Sequence, residues 1–131
     1  MKIEHVAFNV ASPVEMADWY VNNLGLTIVR KTGGPAYAHF LADDSGLMMI
    51  EIYNNPADQV PEYSSMNPLL LHLAFVSDEP EQKKSELISA GATFVSEVRP
   101  DDGSHIVMMR DPWGLAIQLC KRGRPMLRNQ A

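Results

Sequence analysis

His5-Val6-Ala7-Phe8 returns 67 positions later as His72-Leu73-Ala74-Phe75, and Ile50-Glu51-Ile52 returns at the same offset as Ile117-Gln118-Leu119. An apolar alternating strand pattern stated twice at one fixed spacing marks a structural unit duplicated within the chain. Four side chains able to bind a metal, His5, Glu51, His72 and Gln118, thereby occupy equivalent places in the two repeats. A duplicated unit usually packs about a two-fold axis, so these four can converge on one point, the candidate active site.

Working outward, Lys2–Val10 reads as a strand with Ile3, His5, Ala7 and Asn9 on one face. Ser12 is placed to cap a helix, with Pro13 in its first turn. Val14, Ala17, Trp19, Val21 and Leu24 supply its buried stripe, and Gly25 its left-handed end. Strands follow over Leu26–Lys31, Ala36–Ala42 and Leu47–Tyr53, separated by Gly33-Gly34-Pro35 and Asp43-Asp44-Ser45-Gly46. The second half repeats this order: strand Leu69–Val76, a helix near Glu79–Ala90, then strands Thr93–Val98, His105–Arg110 and Leu115–Cys120. Pro100-Asp101-Asp102-Gly103 and Asp111-Pro112-Trp113-Gly114 make its turns. The expected fold class is α+β, two βαβββ modules.

A chain of 131 residues, 46% hydrophobic, suits one well-buried core and is short for two ordinary domains. The repeats are therefore expected to be halves of a single domain, residues 1–131. Module one spans 1–53, a polar linker with Pro56 and Pro61 spans 54–67, module two spans 68–122, and a tail spans 123–131. A formal net charge of −5 without a basic stripe argues against nucleic acid and for a small-molecule partner. No stretch reaches the roughly 20 apolar residues of a membrane span, and the first ten residues lack a signal-peptide core. With Cys120 the single cysteine, a cytoplasmic location is expected.

The paired modules, the His on each first strand and the Glu or Gln on each last strand resemble the vicinal oxygen chelate superfamily. So do the Asp18-Trp19-Tyr20 to Leu24-Gly25 helix and the Asp111–Leu119 run. Within that superfamily the likeness is to the glyoxalase I-like (glyoxalase, bleomycin resistance and dioxygenase) proteins, and it covers residues 1 to about 122. The resemblance implies an incomplete eight-stranded barrel around a divalent metal whose open positions chelate vicinal oxygens of a substrate. His5, Glu51 and His72 match its ligand positions, and Gln118 falls where glyoxalase I usually has a second Glu. That Glu is also a candidate base, a role an amide cannot fill at neutral pH, although its carbonyl oxygen still suits a metal. Asn9 stands where the family commonly has an Arg for the glutathione carboxylate, while Asn55 resembles a glutathione-contacting Asn.

Two imidazoles, one carboxylate and one amide make a borderline-hard site for Zn, Ni, Co, Fe or Mn, leaving a formal charge of about +1 on a divalent ion. Such an ion is a Lewis acid, with Glu51 as the catalytic base. Asn9, Asn55, Cys120 and His105 are candidate substrate contacts, and His39 or His105 can act as a proton carrier behind the ligands. Cys120 reads otherwise as an apolar filler. Met48, Met49, Met108 and Met109 are expected in core and cavity walls, Trp19 in the core and Trp113 at a pocket rim. Lys121, Arg122, Arg124 and Arg128 are either a solvated terminus or a clamp for an anionic substrate tail. Two function classes follow: a metal-dependent lyase or isomerase, with an extradiol dioxygenase or epimerase as variants, and a binding protein of the bleomycin-resistance type. Open sheet edges make a homodimer the expected assembly.

Overall fold

A computed structural model describes residues 1–127 of the chain, so Arg128 lies outside the described residues. The chain separates into two compact units, Met1–Pro61 and Glu62–Ala131. The first contains β1 (His5–Asn9), α1 (Pro13–Leu24), β2 (Thr27–Lys31), β3 (His39–Ala42) and β4 (Met49–Tyr53). The second contains β5 (Leu73–Val76), α2 (Pro80–Ser89), β6 (Thr93–Val98), β7 (His105–Arg110) and β8 (Ala116–Lys121). Each is βαβββ, as the repeat requires. The sheet orders are β1-β4-β3-β2 and β5-β8-β7-β6, with the first strand parallel to the last and the other pairs antiparallel.

In the first unit α1 packs across β2, β3 and β4. Its buried residues Pro13, Met16, Ala17 and Tyr20 follow the i, i+3, i+4, i+7 rule of a one-sided helix. This stripe differs from the expected one. Val14 is exposed, and Trp19 sits at the margin with its ring edge against Tyr20, because both flank the Met16–Tyr20 line. Ser12 precedes the helix but its hydroxyl makes no cap; its carbonyl accepts the Met16 N–H instead. Gly25 ends the helix at φ 71°, the left-handed conformation that glycine adopts without a side-chain clash. Beneath α1, Phe8, Leu41, Ile50 and Ile52 fill the covered face of the sheet.

Several strands are shorter than the hydrophobic pattern suggests. The segment before His39 turns at Tyr37, with φ 46° and an N–H bonded to the Gly33 carbonyl, so pairing starts three residues later than Ala36. Before β5, the Asn67 side chain accepts the Leu69 N–H and its carbonyl accepts the Leu70 N–H. That Asx turn diverts Leu69, Leu70 and Leu71 from the sheet and leaves them exposed.

In the second unit α2 packs on β6, β7 and β8 over Leu87, Val107, Met109, Ile117 and Leu119, all at most 1% exposed. The second half of the expected linker belongs to this unit: Tyr63–Ser65 form a 3-10 turn with Tyr63 buried. The Arg110 guanidinium holds it, donating to the carbonyls of Tyr63 (2.8 Å), Met66 (2.8 Å) and Gly114 (3.0 Å). The Asp111 carboxylate caps the neighbouring turn by accepting the N–H groups of Trp113 and Leu115. Gly114, at φ 93°, lies so close to this segment that a Cβ there would stand 2.6 Å from the Ser64 Cα. Neither backbone can yield cheaply. Gly114→Ala should therefore lose about 1–3 kcal/mol from overpacking alone, beyond the left-handed strain, read as a lower denaturant midpoint.

Candidate functional site

Strand pairing decides which side chains share a face. In the first unit His5 pairs with Met49, Ala7 with Glu51 and Asn9 with Tyr53, while Phe40 of β3 also pairs with Glu51. Paired residues point the same way, so His5, Asn9, Phe40, Glu51 and Tyr53 lie on the face opposite α1. In the second unit Ala74 and Met108 pair with Gln118, and Val76 and Ile106 pair with Cys120. That puts Gln118 and Cys120 on the face opposite α2, with His72 immediately before β5. In the first unit a His and an oxygen donor share the face away from its helix; in the second Gln118 lies on the corresponding face, where Ile106, Met108 and Cys120 are buried, and His72 stands just before the first strand.

The hydrogen bonds at the two histidines have one chemical outcome. His72 Nδ1 lies 2.8 Å from the Pro68 carbonyl, a group that can only accept, so in the neutral ring Nδ1 carries the proton and Nε2 the lone pair. His5 Nδ1 likewise donates to a Glu4 carboxylate oxygen at 3.0 Å. The His5 ring meets Phe40 edge-on at 5.7 Å between centroids. Both imidazoles thus offer Nε2 to a cation, the arrangement in which an outer partner fixes a metal-binding tautomer. By their chemistry, the donors of each unit, an imidazole nitrogen with a carboxylate or amide oxygen, are of the kind that divalent metals take.

The remaining expected site residues are placed more variously. Asn9 and Asn55 meet, the Asn9 carbonyl oxygen accepting the Asn55 N–H at 2.8 Å. Asn55 in turn bonds Asp58 and the Ala57 N–H, so the pair shapes the loop after β4. The Cys120 thiol donates to Gln118 Oε1 at 3.1 Å, and burial pushes its pKa up against the opposing charge of Arg122. Met108 and Met109 are buried and Met48 and Met49 half-buried. Neither His39 nor His105 lies on the face opposite its unit's helix. His39 pairs with the buried Ile52 and donates its Nδ1–H to the Tyr37 carbonyl of its own turn, 2.7 Å away. His105 lies on the α2 side of its sheet, 6% exposed, and bonds Glu97 at 2.7 Å.

Around His105 is a charge cluster that sequence reading missed. Glu81, Glu97 and His105 bring ligand atoms within 4.8 Å of one another. Lys84 bonds Glu81 at 2.8 Å and Glu97 at 3.4 Å, so an ammonium already supplies the positive charge that the carboxylates need. The bond from His105 holds the Glu97 carboxyl below the usual carboxylate range, with burial opposing and Lys84 assisting. A cleft of about 420 Å³ opens beside it, lined by Asp78, Arg99, Ser104 and Lys121 among others. The stabilising effect of ionised Glu97 is present above its unfolded pKa, about 4.3, and is lost as pH falls through its lower folded value. Glu97→Gln should flatten this acid limb in denaturant midpoints measured from pH 6 downward.

Against known proteins, the model of the Glyoxalase/Bleomycin resistance protein/Dioxygenase superfamily matches residues 2–119. The chain belongs to that superfamily. Among solved structures it resembles SMU.1112c, at 28% identity and TM-score 0.72, covering 92% of this chain and 98% of that one. It also shares the fold of TnmS3, an antibiotic binding protein from Streptomyces sp. CB03234, at 16% identity and TM-score 0.71, covering 93% and 96%. A lactoylglutathione lyase from Agrobacterium tumefaciens shares it too, at 20% identity and TM-score 0.65, covering 90% and 91%. No curated protein sequence matches the chain. Members of this superfamily bind small molecules, and no helix among the described residues is long and apolar enough to cross a membrane.

Proposed function

We propose that this superfamily member is a divalent-metal-dependent enzyme of the lyase or isomerase type, acting on a small substrate with adjacent oxygens. The observation that carries the reading is the matched hydrogen bonding of His5 and His72, each with Nδ1 engaged and Nε2 left for a cation, in units that each also carry an oxygen donor on the face away from the helix. A binding cavity alone does not call for that repetition. His5, Glu51, His72 and Gln118 would hold the ion. When bound, it supplies a Lewis acid that polarises a substrate carbonyl.

The chain's own residues divide the rest. The Glu51 carboxylate takes a proton from the carbon beside the carbonyl and returns it to the neighbouring position, while Gln118 stays neutral throughout. Phe40 and Tyr53, half-buried on the face of Glu51, limit water near that carboxylate. Metal analysis of the purified protein, with a screen of thiol hemiacetal and catechol substrates, tests the reading. Turnover in metal-stripped protein equal to that in loaded protein would overturn it.

Gln118 favours one second reading, a binding protein that sequesters its ligand without turnover, as the neutral amide removes a base from one side of the site. Saturable ligand binding with no product formed by loaded protein would decide for it. We infer a homodimer as well, since β6 is an edge strand exposed along its length, including Phe94, Val95 and Val98. Sedimentation at micromolar concentration should give twice the mass of the chain, and a monomer would count against it.

A further inference from the structure

Gln118 differs from a glutamate in a way that charge does not capture. The two oxygens of a carboxylate are equivalent, so either end of the side chain can hold a cation. An amide has one oxygen and one NH2 group, and the NH2 has no lone pair to give. A free glutamine ligand therefore spends part of its time turned the wrong way, and nothing in its own chemistry prevents this.

In this protein a neighbour prevents it. Cys120 is two residues along β8 from Gln118, on the same face, and its thiol points at Gln118 Oε1 at 3.1 Å. The residues paired with Gln118, Ala74 and Met108, offer the amide no competing hydrogen bond. Among the described residues the thiol is the one hydrogen-bond partner of this amide. Cys120 is buried at 7% exposure, so water competes little for the contact. A carbonyl oxygen has two lone pairs, and one donor on it leaves the second for a cation.

We propose that Cys120 is a positioning residue that selects the carbonyl-forward orientation of Gln118 and so makes a neutral amide serve where a carboxylate would need no selector. The proposal rests on the metal reading given above. It makes the two residues a coupled pair, Cys120 mattering only while position 118 is an amide.

The test is a double-mutant cycle read as Zn(II) affinity by competition with a chromogenic chelator, together with the thiol S–H stretch in the infrared. Cys120→Ala should weaken Zn(II) binding by about 10–100-fold, the range for loss of a partner behind a ligand. Cys120→Ser, which keeps a donor, should restore most of it. In a Gln118→Glu background Cys120→Ala should change affinity by less than about threefold. Equal weakening in both backgrounds would mean that Cys120 acts through packing alone and would overturn the proposal, as would no weakening in either. A wild-type protein that binds no Zn(II) removes the metal reading instead. The S–H band then decides the positioning by itself: it should move between wild type and Gln118→Leu, and an unmoved band overturns it.

Discussion

Glu51→Gln should lower turnover by about 10²–10⁴-fold, the range for removing a general base, while weakening substrate binding far less. The separation arises because glutamine keeps an oxygen for a cation and nearly the same shape, yet cannot accept a proton at neutral pH. Strand pairing sharpens the expectation. Glu51 is flanked by Ala7 and Phe40, neither of which titrates, so no neighbour across the sheet can take over its proton. Steady-state kinetics with substrate-analogue binding measures both quantities. Full turnover in the variant would move the base elsewhere and end this assignment. The reverse exchange, Gln118→Glu, should leave metal bound and raise proton-transfer activity on substrates that need a base on both sides.

The second large effect concerns the metal. His5→Ala together with His72→Ala should reduce stoichiometric divalent metal to background, because the two Nε2 atoms are the nitrogen donors of the proposed set. Folding should survive. His5 is exposed and His72 half-buried, so neither is part of the buried core. Elemental analysis with circular dichroism separates the outcomes. Retained stoichiometric metal in the folded double variant would show that the ligands lie elsewhere.

The 67-residue offset made the βαβββ order legible twice, since the hydrophobic repeat and the Gly-rich turns agree at each element. It also gave the shared face of His5 and Glu51, because a strand's period of two is rigid where the strand is regular. Glu97 was not legible for the complementary reason. The register shifts between Phe94 and Ser96, placing an extra residue in β6 and turning Glu97 to the helix side beside His105. Counting parity through a bulge gives the wrong face. The register of β3 and β7 likewise decides the side of His39 and His105: both lie on the helix side of their sheets, where His105 lines the cleft beside Glu81. Leu69–Leu71 have the apolar content of a strand, but the Asn67-Pro68 turn that precedes them overrides it.

In β4 and β8 the chemistry-bearing residue is set between two fully or nearly buried ones, Glu51 between Ile50 and Ile52 and Gln118 between Ile117 and Leu119. In β4, where burial alternates residue by residue, this makes two nearly independent inheritances out of one strand. Mutations at the even or odd set are filtered by whether the protein folds, and those at the other set by what the protein does. A lineage built this way can try new ligands and bases one position at a time without risking its scaffold. At β8 the buried Cys120 shares the face of Gln118, so there a change at either residue touches folding and function together.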